Sequence, residues 1–575
     1  MSRSCLVVCV ILLTPFAAQA GPAKVPVDLA WRPDGHLVVA LRDGKALAVI
    51  EPGSWRVEAE WPLPIRPTSL AVVKDGSAVL VGGTDGECLV VGNDGRVVRH
   101  LERGRGPTRV LPLADGQAIV ASQWDDSARL VDWNEGRTLV NHPLPFPPGA
   151  MVQTPDGRVI VADAFQGNLV EFEPALVGST RLLKLDGVNL HTLAISGDGR
   201  ELLIGHMAKA GASPISRTNI DWGLVYSSKL SALRLSEFGV TGRTLNVRRL
   251  TLDGSGHGAA DPSALAVSPD GTKLLLALAG AHQVLLIDRN LGAKANADLL
   301  PLGDSQKLKD LEVGRSPVAL RLDPSGHFAV TADSMSDTLT VLQMNGFSII
   351  ATVALNPGPV ERTPEQRGEA AFHDGRSALD RWMSCASCHA GGHTSGLTFD
   401  TNGDGGYGAA KDIPTLLGCG LTAPYSWIGR FATLEAQIAE SLDTSLRGPG
   451  AQPGQVDDLA AFLHSLEPAP ARRSSDDPAA LRGKDVFQIR GCDACHVPPT
   501  YTSPVRRDVG LTDGPDGNRR FNPPSLRGVS RSAPYLHDGR AETLNDVLQI
   551  HHPGTEDTPW DQGEADDLAA FLESL

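Results

Sequence analysis

The chain has 575 residues, 41% of them hydrophobic, and a formal net charge of −15. That length predicts two or more globular domains, and the acidity argues against a nucleic-acid partner and for basic or small ones. Eight cysteines in so long a chain exclude a disulfide scaffold.

Arg3, an apolar run over 6–13 and Ala18-Gln19-Ala20 predict a cleaved signal peptide over 1–20, and hence export to the periplasm. The run is too short to span a bilayer comfortably, and no later segment is long enough, so no membrane span is expected after cleavage. Residues 21–356 are repetitive. Turns recur at Pro33-Asp34-Gly35, Lys74-Asp75-Gly76, Ala114-Asp115-Gly116, Pro155-Asp156-Gly157, Gly197-Asp198-Gly199, Pro269-Asp270-Gly271 and Pro324-Ser325-Gly326. Short alternating apolar strands flank each turn, which is the hairpin signal. One four-stranded sheet per forty-odd residues is the period of a propeller, so seven turns predict an all-β seven-bladed propeller. The long sixth interval predicts an insertion around 208–226, between strands of one blade, as a loop on one face. On its period this region resembles the YVTN and WD-type propellers, and it reads first as a scaffold without chemistry.

Residues 356–364 are Pro-rich and close the propeller. Gly-rich loops and helical segments follow, with a linker near 467–479, predicting two all-α cytochrome c-type domains over 357–466 and 467–575. Each carries C-x-x-C-H: Cys385, Cys388 and His389, then Cys492, Cys495 and His496. Cysteines three apart lie one helical turn from each other, so both can reach one haem, and the next His sits under the iron. A redox dithiol or half a zinc site competes for one such motif. Two in like contexts favour two covalently bound haems c. Cys88 and Cys419 are left over; they can pair or stay buried and inert, and inert is favoured.

The two units copy one plan. Ile413-Pro414-Thr415-Leu416, then Ala423-Pro424-Tyr425-Ser426-Trp427-Ile428-Gly429-Arg430, answers Pro523-Pro524-Ser525-Leu526, then Ala533-Pro534-Tyr535-Leu536-His537-Asp538-Gly539-Arg540. Both end in Asp-Asp-Leu-Ala-Ala-Phe-Leu. Over 365–575 this duplicated plan resembles the di-haem cytochrome c peroxidase and MauG superfamily. The resemblance implies a periplasmic enzyme that reduces hydrogen peroxide, or uses it to oxidise a partner, at the first haem. A small c-type cytochrome or cupredoxin would feed electrons through the second.

The resemblance also implies site residues. Trp427 takes the inter-haem position, Gln437 the distal pocket, and Glu440, with Glu435, the neighbourhood of the distal acid. Ser441 and Arg447 stand where the family has a Pro and a catalytic Glu. His551 stands where the second haem takes its sixth ligand, with His552 as the alternative, and His393 is poorly placed to cross to the distal side of the first. Asp400 and Asn402, in a D-x-N-x-D-G string, with Ser532 and Pro534, are the expected calcium ligands; Lys411 at position twelve excludes an EF-hand. Competing readings are a MauG-like oxidase of a protein substrate and a non-catalytic electron-transfer module docked by its propeller.

Overall fold

The computed structural model describes residues 20–239, 245–254, 256–288, 308–402, 406–511, 517, 520–550 and 560–575. The expected signal segment therefore falls almost wholly outside the described residues, as do His551 and His552.

Seven four-stranded antiparallel sheets follow one another from Pro26 to Ala354, each built from four consecutive strands. The sequence explains the layering. In blade 1 the second and third strands, Leu37–Leu41 and Ala46–Glu51, are apolar almost throughout and buried between neighbouring blades. The outermost strand, Arg56–Pro62, alternates exposed and half-buried residues, as an edge strand does. All seven x-D-G or P-x-G turns fall between the first and second strands of a blade. Their glycines take positive φ, which a β-carbon disfavours. At Gly76 the approach is also close: a β-carbon would lie 2.8 Å from the Pro33 ring on the turn of the preceding blade.

Blade 7 contains its own four strands, so packing rather than strand exchange closes the ring. Leu29, Leu37 and Ile50 of blade 1 share a core with Ala319, Val330 and Leu339 of blade 7. Gly21–Pro22 pairs in parallel with Val360–Glu361. Asp337 accepts from the Lys24 and Val25 amides at 2.7 and 2.8 Å, fixing the incoming chain.

In the C-terminal half, helix Pro364–Phe372 crosses Gln455–His464, and Pro478–Ile489 crosses Gln562–Glu573. The duplication extends to single contacts. Gly368 and Gly483 sit at the two crossings, where a β-carbon would lie 1.9 and 1.8 Å from the Asp458 and Asp567 carbonyls. Arg367 pairs with Asp458 and Arg482 with Asp567, each at 2.6 Å. Phe372 meets Phe462 and Phe487 meets Phe571, each pair at 5.2 Å between ring centres. Each unit also carries a two-residue ladder, Thr398–Phe399 with Lys411–Asp412 and Arg507–Asp508 with Arg520–Phe521, a small β component beside the helices.

Both units sit on the propeller face opposite the x-D-G turns. Strands alternate in direction, so the loops between second and third strands and those between blades emerge together on that face. Arg42 of blade 1 grips Glu369 with both terminal nitrogens, at 2.5 and 2.6 Å. Asp126 of blade 3 holds Arg531 at 2.6 Å, and Arg315 of blade 7 reaches Asp374 at 2.9 Å. The insertion lies within blade 5, between Glu201–Lys209 and Tyr226–Arg234, where the sequence placed it. Ile215 at its centre donates its amide to the Asp400 carbonyl at 2.9 Å and is buried in the core of the first unit. Tyr226, Phe372, Trp382, Ile438 and Leu459 share that core, so propeller and first unit have no solvent layer between them there.

Candidate active site

A cavity of about 980 Å³ lies between the two C-terminal units. Cys385 and His389 line it from the first unit; Cys492, Cys495 and His496 line it from the second. Apolar side chains, among them Leu434, Ile438, Leu442, Leu548 and Leu568, supply much of the remaining wall. Neither cysteine pair is bridged. Burial pushes the Cys385 thiol up to about 12 and Cys492 up to about 11. A redox dithiol needs a lowered pKa, so that reading of the motifs loses support.

The histidines suit iron. Burial pushes His389 down to about 4 and lowers His496 too, leaving both imidazoles neutral with a lone pair to give. His496 Nδ1 faces the Tyr501 and Pro524 carbonyls at 3.0 and 3.1 Å, which leaves Nε2 as the ligand nitrogen. Pro414, the counterpart of Pro524, lies beside the ring and only partly offsets this lowering of His389, whose Nδ1 has no partner at hydrogen-bond geometry. The apolar walls, the paired cysteines and the neutral histidines fit two haems.

The seam between the units is reciprocal. The Asp412 amide donates to the His537 carbonyl, and the Asn522 amide donates to the Trp427 carbonyl, each at 2.8 Å. Trp427 also donates its indole N–H to the Asp412 carbonyl at 2.8 Å. Trp427 thus lies on the cavity wall where the two units join, and His537, its counterpart, is buried and stacked on Phe521 at 4.3 Å.

Gln437 and Ser441 both line the cavity from helix Leu434–Glu440 and its continuation. Gln437 Nε2 donates to Ser441 Oγ at 3.1 Å, while its Oε1 is buried without a partner. Glu440 does not line the cavity: it reaches back to Arg430 at 3.4 Å. Glu435 is exposed on the same helix. Arg447 is engaged with Tyr407 and the Ile215 carbonyl. Buried Asp400 is likewise occupied, accepting from the Asn402 and Gly408 amides at 3.3 and 2.6 Å. Ser532, Pro534, Asp400 and Asn402 all line the cavity, yet no cluster of three His, Cys, Asp or Glu converges among the described residues.

Two features escaped the sequence reading. Asp412 lines the cavity with Oδ1 buried and unpartnered, and burial pushes its carboxyl up to about 8. Its match in the repeat, Asn522, is also polar and was the available signal. His393 is buried at a three-way junction, with Nδ1 on Thr415 Oγ1, Nε2 on the Arg531 carbonyl, and its ring edge-on to Phe165 of blade 4.

Residues 365–467 match a family model described as di-haem cytochrome c peroxidase. The methylamine utilization protein MauG of Methylorubrum extorquens is 29% identical over 316 residues, covering 44% of this chain and 89% of that protein. Hydrazine synthase subunit gamma of Kuenenia stuttgartiensis is 25% identical over 272 residues, 36% of this chain and 76% of its own length. Cytochrome c551 peroxidase of Pseudomonas aeruginosa is 22% identical over 275 residues, 38% of this chain and 80% of that protein. Among solved structures, a chain of Kuenenia stuttgartiensis hydrazine synthase aligns with a TM-score of 0.50 at 19% identity, covering 58% of this chain and 99% of that one, a likeness of fold alone.

Proposed function

We propose that this chain is a periplasmic di-haem oxidoreductase of the cytochrome c peroxidase and MauG type, with a seven-bladed propeller fused ahead of it. One haem c would sit on Cys385, Cys388 and His389, the other on Cys492, Cys495 and His496. The observation that carries the reading is the single cavity lined by both motifs, with Trp427 on the seam between their units. When bound, the haems supply the one-electron and peroxide chemistry.

The chain's residues divide the remaining work. His389 and His496 offer neutral ring nitrogens. Gln437 presents an unsatisfied carbonyl oxygen that can accept a hydrogen bond from an O–H of hydrogen peroxide. Trp427 joins the two units through its carbonyl, which accepts from the Asn522 amide, while its indole N–H is held by the Asp412 carbonyl of its own unit. The second motif exposes Asp493 and Ala494, which suits electron entry there from a small c-type cytochrome or cupredoxin, and His551 is the proposed sixth ligand of that haem. For calcium, Asp412 with Ser532 and Pro534 replaces Asp400 and Asn402, because Asp412 alone of the two aspartates keeps a buried oxygen unpaired.

Glu440, turned to Arg430, favours a second reading. Fast peroxide cleavage needs a group that moves a proton between the two oxygens. With no carboxylate supplied by this helix, slow oxidation of a partner protein is the better-supported variant. The test is mass spectrometry of the mature chain with peroxide titration of its spectrum. We expect two haem additions, a peroxide-induced change, and a slower coupled response in Trp427→Phe with both haems retained. One haem, or no peroxide response, rejects the proposal.

A further inference from the structure

The haem-binding turn of the first motif is clamped by three side chains of the propeller, and the second motif has no such clamp among the described residues. Asp261, at the entry to the innermost strand of blade 6, accepts from Ser384 Oγ at 2.6 Å and from Ser387 Oγ. Asn189 Nδ2 and Tyr226 Oη, both of blade 5, donate to the Ser387 carbonyl at 2.7 and 2.8 Å. That carbonyl lies at the end of the one-turn helix Cys385–Cys388, where no further helical turn can satisfy it. Ser384 and Ser387 are 0% exposed, so water does not compete for these bonds. Asn189 and Asp261 hold positive φ of 57° and 60°, a conformation that Asn and Asp adopt more readily than other residues with a β-carbon.

The repeat supplies an internal comparison. Gly491 and Ala494 occupy the places of Ser384 and Ser387 in the second motif, so both hydroxyls are missing there. Gly491, Asp493 and Ala494 are exposed. The hydroxyls occur in the one motif that the propeller reaches.

We propose that the propeller buttresses the first haem-binding turn from behind the cavity wall, with Asn189, Tyr226 and Asp261 as positioning residues that fix the 384–389 turn and so orient His389. The inference rests on the haem assignment above. His389 follows the clamped carbonyl by two residues, so its ring direction is set by bonds made in blades 5 and 6. Tyr226→Phe removes one donor and keeps the ring that packs edge-on to Phe399 at 5.2 Å. Asn189→Ala removes the other donor.

The experiment uses the full chain with both haems attached. Resonance Raman follows the iron–histidine stretch of the reduced protein, and a redox titration follows each haem's midpoint potential. In Tyr226→Phe, and more strongly in the double variant, the first haem's band and potential should move while the second haem's potential stays in place. Asp126→Asn, which loosens the second unit's contact with the propeller, should leave the first haem's band unchanged. Wild-type values for the first haem in both variants overturn the proposal. So does an equal shift of both haems, which marks general loosening. A wild-type protein with no haem on the first motif overturns the haem assignment itself.

Discussion

Replacing Asp126 by alanine leaves the Arg531 guanidinium buried without its carboxylate. The Arg531 side chain is 0% exposed, and Asp126 is 26% exposed. Burial already lowers the Arg531 pKa despite Asp126, so the pair offsets its own desolvation only in part. Removing one partner of a buried pair costs about 3–5 kcal/mol. Arg531 keeps the Trp124 and Pro470 carbonyls at 3.0 and 3.2 Å and the Trp124 ring at 5.5 Å, which puts the cost at the low end, about 3 kcal/mol. Because several units share one chain, a global unfolding curve does not isolate this one contact. Native-state hydrogen exchange at the Arg531 and Ser532 amides, both hydrogen-bonded within their own turn, reads the local opening directly. About 3 kcal/mol corresponds to exchange faster by roughly 100-fold. Asp126→Asn, which keeps an acceptor, should cost about half as much. Asp126→Ala combined with Arg531→Met should exchange more slowly than Asp126→Ala alone, since no stranded charge remains. Exchange in Asp126→Ala close to the wild-type rate, or a double variant no better than the single, refutes the reasoning.

Chelating calcium should lower the melting temperature of the wild-type protein, as loss of any ligand specific to the native state does. Asp412→Ala should show that lower value from the start and respond no further to chelator; an undiminished response places the ion elsewhere. His282, Arg315 and Arg376 hold the Asp374 carboxyl well below the usual carboxylate range. A depressed acid pKa stabilises the fold above the unfolded value of about 3.9, and the contribution is lost as pH falls below it. Asp374→Asn should therefore be less stable than wild type at pH 7, with the gap closing under acid; a gap constant down to the acid limit contradicts this ionic role.

The propeller was legible because its signals are local. Each Asp-Gly or Ser-Gly turn sits two or three residues after one strand and before the next, and all seven landed in the same place in their blades. The copied plan of the C-terminal half was legible for the same reason. The site was legible only where a motif fixed it. Asp400 looked like a ligand because it stands in an acidic, Gly-rich string, but the Asn402 and Gly408 amides engage both of its oxygens. Asp412 stands in no such string; what marks it is an oxygen left unpaired by the surrounding fold. Glu440 was placed near the distal side by proximity along a helix, and Arg430 draws it away. Asn189 and Ser387 lie 198 residues apart, and no periodicity in the sequence connects them.

On the proposed haem assignment, the unequal exposure of the two motif turns predicts an order of events during biogenesis. A thioether can form only while the cysteines are open to an attachment machinery and to incoming haem. Asp493 and Ala494, between Cys492 and Cys495, are exposed, so that turn remains accessible after the chain has folded. Cys385 and Cys388 flank Ala386 and Ser387, both buried under blades 5 and 6. If the first motif binds haem as proposed, its loading precedes the seating of its unit on the propeller, and a chain that seats too early would carry one haem only.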